Sequence, residues 1–139
     1  MKFSLKSEYA ARAVLGLARQ FHQGSAVRVE DLASEYAIPA NYLVQILIEL
    51  KSQRIVKSKR GKVGGYLLAR PPSEISLGDI LRCLQGPVFE AASIQDSRSP
   101  VELRDAWNKI LRAAEQTADS ITFQSLLEDN GDRAKMYYI

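Results

Sequence analysis

The sequence predicts a mainly α-helical chain interrupted once by a two-stranded hairpin, and three observations carry that expectation. Apolar residues recur at helical spacing along most of the 139 residues. Short strand-like runs flanking a glycine-rich turn are confined to residues 55–69. The balance of 46% hydrophobic and 25% charged residues is that of an ordinary globular protein, with no apolar run near membrane-spanning length.

The elements follow in order. A first helix starts near Ser4 or Ser7 on the stripe Ala10, Ala13, Val14, Leu17, Ala18 and Phe21, and His22-Gln23-Gly24-Ser25 ends it. A short helix covers about residues 29–36, with Leu32 and Ala33 inward. Pro39 suits the first turn of a third helix, which runs to about Ser52 on Leu43, Ile46, Leu47 and Leu50. Ile55-Val56-Lys57-Ser58 and Tyr66-Leu67-Leu68-Ala69 read as strands joined by a turn at residues 59–65. Helix, helix, turn, helix, hairpin is the winged helix-turn-helix layout, assigned to residues 1–72.

The second half reads as helical. A helix at residues 76–85 carries Leu77, Ile80, Leu81 and Leu84, and Gly86-Pro87 stops it. With the loop at residues 88–98 it forms a connecting segment, residues 73–98. Ser99-Pro100-Val101-Glu102 reads as a capping box with proline at the first helical position. The helix behind it reaches about Asp119, with the apolar stripe Leu103, Trp107, Ile110, Leu111, Ala114, Ala118 and Ile121. At roughly 30 Å it projects beyond its own domain or packs on a partner. Thr122 is expected to cap a last short helix through Leu127, with Asn130-Gly131 breaking it. This gives a helical element at residues 99–129 and a tail at residues 130–139.

Charge separates the halves. Residues 1–70 hold twelve Lys/Arg against five Asp/Glu, net +7, whereas residues 71–139 are net −4. A basic half suggests a polyanionic partner, with chance clustering of surface charge as the alternative. Six cations fall within residues 51–62 without one acid: Lys51, Arg54, Lys57, Lys59, Arg60 and Lys62. They sit at the end of the third helix and on the hairpin, where a winged helix meets phosphates or enters a minor groove.

On the third helix, Asn41, Val44, Gln45 and Glu49, and partly Ala40, point away from the apolar stripe. Asn and Gln can pair with adenine, and a small apolar side chain can touch a thymine methyl group. A plain solvated face is the alternative. Gly61, Gly64 and Gly65 lack P-loop spacing and read as turn residues. With one cysteine, Cys83, and one histidine, His22, the chain shows no catalytic constellation, no metal site and no disulfide. Without a signal-peptide pattern or membrane span, it is expected in the cytoplasm.

These residues resemble the Rrf2 family of bacterial transcription regulators. The likeness spans about residues 1–129, and its most specific piece is Arg60-Gly61-Lys62-Val63-Gly64-Gly65-Tyr66-Leu67-Leu68-Ala69. Supporting pieces are Lys6-Ser7-Glu8-Tyr9-Ala10, Tyr42-Leu43-Val44-Gln45-Ile46-Leu47, Ile75-Ser76-Leu77-Gly78-Asp79-Ile80 and Ile121-Thr122-Phe123. The resemblance implies a homodimer on a roughly palindromic double-stranded operator, usually repressing, with the long helix as the dimer element. It implies base reading by Asn41 and Gln45, a wing arginine at Arg60, and phosphate contacts by Lys6 and Tyr42. Val44 departs from the acidic residue that some cluster-binding members place there.

Those members carry three cysteines between the fourth helix and the dimer helix. Here residues 88–98 contain none, Cys83 lies before them, and Glu8, where some members supply an acidic ligand, has no partners. The expectation is therefore a regulator without an iron–sulphur cluster, answering to a small molecule, a protein partner or oxidation of Cys83. A winged helix that binds protein instead of DNA is the rival reading, and the uncompensated basic run argues against it.

Overall fold

In the computed structural model, residues 3–86 and 96–137 are described. Helix α1 (Leu5–Arg19) is N-capped by Ser4, whose hydroxyl accepts from the Ser7 N–H at 3.0 Å. It is the central post of the fold, touching α2 (Val29–Tyr36), α3 (Ala40–Ser52) and α4 (Leu77–Gln85). Ala10, Ala13, Val14 and Leu17 are essentially fully buried along it. Small residues on this stripe let three helices approach one axis.

The turn between α2 and α3 is tight. Ala37 closes α2 in the left-handed region at φ 54°, and the Ile38 N–H reaches back to the Ala33 carbonyl at 3.0 Å. Pro39 then N-caps α3. A left-handed non-glycine residue costs about 1–3 kcal/mol, offset here by the surrounding contacts that fix the turn. After α3 the same device recurs at Arg54, φ 59°, with the Ile55 N–H bonded to the Leu50 carbonyl.

Strands β1 (Val56–Lys59) and β2 (Gly65–Leu68) pair antiparallel, from Val56 opposite Leu68 to Lys59 opposite Gly65. Val27, just ahead of α2, adds a one-residue rung on the other side of β2. Its N–H and carbonyl exchange hydrogen bonds with Tyr66 at 2.8 and 2.9 Å. The hairpin is thereby tied to the helix-turn-helix as well as to α3.

Helix α4 begins with a complete capping box. Ser76 Oγ accepts from the Asp79 N–H at 3.1 Å, and Asp79 Oδ2 accepts from the Ser76 N–H at 2.9 Å. The capping box expected at Ser99 and Glu102 does not form. Pro100 is itself the N-cap of α5 (Val101–Ser120), without a side-chain hydrogen bond, and the Ser99 N–H turns back to Asp96. A hydroxyl one residue before the N-cap is out of register for that motif.

Helix α6 (Phe123–Tyr137) continues well past the expected break at Asn130-Gly131. Glycine inside a helix costs only about 1 kcal/mol relative to alanine, which does not by itself stop one. Phe123 is fully buried in the same core as Leu17, Leu43 and Ile75. Its N–H bonds the Ile75 carbonyl at 3.0 Å, and the Leu77 N–H bonds the Ile121 carbonyl at 2.9 Å. The chain thus returns from α5 into the core of its first half. The loop expected at residues 88–98 lies outside the described residues as far as residue 95.

Candidate nucleic-acid interface

Helix α3 splits by face. Leu43, Ile46, Leu47 and Leu50 are fully buried, so the helical repeat leaves Asn41, Val44, Gln45 and Ile48 in solvent. Sequence reasoning singled out the first three and passed over Ile48. Its signal was present: it lies four residues after Val44, off the buried stripe. Tyr42 stands at the flank of this face and meets Tyr9 edge to face, with centroids 5.6 Å apart. The Arg12 guanidinium covers Tyr9 at 5.3 Å.

Two ties hold α3 in place. Lys6 Nζ on α1 donates to Glu49 Oε1 on α3. Lys51 Nζ, at the end of α3, donates to Ser58 Oγ on β1 at 2.8 Å. Glu49, expected as an outward residue, is half-buried by this pairing, and its backbone carbonyl accepts from the Cys83 thiol at 3.5 Å. Burial, and then the Glu49 charge, push the Cys83 thiol pKa up. A thiol held protonated is a poor nucleophile and a poor metal ligand.

The wing owes its shape to its glycines. Gly65 has φ 155°, and a Cβ there would lie 2.2 Å from the Val27 carbonyl oxygen. Only glycine allows the rung between Val27 and Tyr66. At Gly64 a Cβ would sit 2.5 Å from the Lys59 carbonyl oxygen. On this scaffold Lys57, Lys59, Arg60 and Lys62 are exposed, and among the described residues none pairs with an acid. A cluster of unpaired cations on a narrow hairpin creates a local positive field suited to phosphates.

Helix α5 divides differently from the sequence expectation. Leu103, Trp107 and Ile110 are 39–51% exposed and, at spacing i, i+4, i+7, share one face of the helix as an apolar patch. Leu111, Ala114 and Ile121 are half-buried, whereas Ala118 is used inside the chain, against Leu81 of α4. Arg82 fastens that contact by reaching Asp119 at 2.6 Å and Asp79 at 3.2 Å. Its own pKa is raised first by the Asp119 hydrogen bond.

The donor set does not fit an iron–sulphur cluster. Such clusters rest on several thiolates, and the 139 residues contain one cysteine, buried in part and hydrogen-bonded within α4 and α3. Glu8 is engaged with Arg12 at 3.2 Å. Among the described residues no group of three His, Cys, Asp or Glu could hold a metal ion, and no helix is long and apolar enough to cross a membrane.

An exposed helix face beside a basic hairpin is the arrangement of a winged-helix DNA-binding protein. The chain belongs to the Rrf2 family, whose sequence profile, described as an iron-dependent transcriptional regulator, matches residues 3–129. A Mycobacterium tuberculosis protein described as an HTH-type transcriptional regulator is 43% identical over 122 residues, covering 82% of this chain and 73% of its own. The HTH-type transcriptional regulator CymR of Bacillus subtilis is 33% identical across the full length of both. The solved structure of CymR, titled as the global cysteine regulator of that organism, superposes with a TM-score of 0.83 at 29% identity, over 91% of this chain and 95% of that one. T. potens IscR superposes with a TM-score of 0.78 at 32% identity, over 94% and 88%. The family is one of transcriptional regulators, not of enzymes.

Proposed function

We propose that this chain binds a roughly palindromic operator as a homodimer and represses transcription in the cytoplasm without an iron–sulphur cluster. The observation that carries this reading is the exposed Asn41, Val44 and Gln45 face of α3 beside the unpaired cations of the wing. In this reading Asn41 and Gln45 hydrogen-bond base edges, and Val44 touches a thymine methyl group. Arg60 enters the minor groove, while Lys6, Tyr42, Lys51, Lys57, Lys59 and Lys62 meet phosphates.

Dimerisation rests on the apolar face Leu103, Trp107 and Ile110 of α5, extended by Leu111, Ala114 and Ile121. Ala118 supports that helix from within. Exposed large side chains at this spacing suit a second copy of the same helix. In this division residues 1–72 bind DNA, residues 73–98 connect and α5 dimerises, while α6 returns Phe123 to the core of the first half and runs past the tail expected from residue 130. The signal is a small molecule or a partner protein, because the half-buried Cys83 thiol is held protonated.

The test compares a full palindrome with its half-site. The dimer is expected to bind the full site far more tightly, and Ile110→Glu to abolish that advantage and leave a monomer in sedimentation. Equal affinity for both sites, or an Ile110→Glu variant that remains dimeric, contradicts the reading.

A further inference from the structure

The recognition face of α3 carries more apolar surface than hydrogen bonding to bases explains. Val44 is 39% and Ile48 53% exposed, four residues apart on a helix whose other four large aliphatics are fully buried. Both are β-branched, a choice that weakens a solvent-facing helix rather than helping it. Neither packs in the core.

Asn41, Val44, Gln45 and Ile48 have the spacing i, i+3, i+4, i+7. That is the set a straight helix presents along one line, and the spacing by which a homeodomain helix reads the major groove. On this line the polar pair Asn41 and Gln45 alternates with the apolar pair Val44 and Ile48. The cations of the wing and Lys51 flank the line and supply the phosphate contacts that would seat it in a groove. The major groove offers one apolar group, the C5-methyl of thymine.

Resting on the DNA-binding reading above, we propose that Ile48 is a specificity-determining residue that, together with Val44, reads thymine methyl groups. Adenine edges go to Asn41 and Gln45, and methyl groups on neighbouring base pairs go to Val44 and Ile48. Each operator half-site then contains two thymines recognised by apolar contact alone. Ile48, one helical turn farther along α3, reads the one more distant from the contact of Val44.

Uracil in place of thymine tests this, because it removes the methyl group and leaves the hydrogen-bonding pattern intact. Duplexes of the selected operator are made with one deoxyuridine at each thymine in turn and titrated with the full-length protein. At two positions per half-site the affinity should fall by about three- to five-fold, the worth of one buried methyl group. Ile48→Ser should erase the penalty at one of them and keep it at the other, with Val44→Ala doing the reverse. Ile48 is exposed, so its replacement should leave the fold intact, checked by an unchanged circular dichroism spectrum and Tm.

Tight operator binding with no uracil penalty anywhere overturns this inference and leaves the proposed function standing. Uracil penalties that survive Ile48→Ser remove Ile48 from the assignment. Absence of salt-dependent duplex binding overturns both the function and this inference.

Discussion

Lys6 Nζ and Glu49 Oε1 lie 2.5 Å apart, joining the start of α1 to the recognition helix α3. A phosphate approaching Lys6 must compete with a carboxylate already in place. Glu49→Gln removes that competitor and its repulsion of the DNA backbone. The variant should bind both operator and random duplex more tightly, with a salt slope steeper by about one unit. Both partners are partly exposed, so its stability should change by less than about 1 kcal/mol. Salt titrations measure the first and urea unfolding the second. An unchanged slope would remove Lys6 from the phosphate contacts.

Arg60 and Gln45 should fail in different ways. Arg60→Ala takes a cation from the wing, so affinity falls across all sequences and the salt slope shrinks by about one unit. Gln45→Ala should cost about 1–3 kcal/mol at one base pair and relax preference there, with the salt slope unchanged. Binding titrations against a panel of single-base operator variants separate the two patterns. Equal losses on operator and random DNA for Gln45→Ala would show that it does not read a base.

The rung between Val27 and Tyr66 requires glycine at position 65. Gly65→Ala places a methyl group 2.2 Å from the Val27 carbonyl oxygen at φ 155°. The expected cost is about 1–3 kcal/mol, seen as a lower Tm and as loss of hydrogen-exchange protection at Tyr66. DNA affinity should fall with it, because the wing cations lose their fixed position. Full stability in this variant would mean the rung can be given up freely.

Cys83 sets a pH dependence with a definite sign. Burial raises its folded-state pKa above the unfolded value. The thiol therefore contributes its full stability below the unfolded-state pKa, and that contribution is lost as pH rises through the folded one. The stability difference between the protein and Cys83→Ala should shrink as pH rises above the unfolded thiol's pKa of about 8.5. Alkylation at neutral pH should be slow in the folded protein and fast in urea. Rapid alkylation of the folded protein at neutral pH would contradict the burial argument and favour oxidation of Cys83 as the signal.

Much of this molecule was legible because its helices follow their apolar stripes. The buried face of α3 was readable from Leu43, Ile46, Leu47 and Leu50, and the wing from its glycines and strand residues. What escaped depends on contacts distant in sequence. No local pattern announces that Val27 will pair with Tyr66, or that Lys6 will meet Glu49 from another helix. The true capping box at Ser76 and Asp79 and the false one at Ser99 and Glu102 differ only in whether the serine falls at the N-cap, which backbone geometry decides. Periodicity along α5 likewise does not tell a face packed within its own chain, such as Ala118 on Leu81, from one left open.

Operator binding is decided by selection of genomic DNA fragments with the purified protein, followed by a salt titration on the best-retained fragment. A palindromic site bound at least ~1,000-fold more tightly than random duplex is expected, with affinity falling steeply as salt rises. Weak and uniform retention of all fragments, with no shared site, would contradict it.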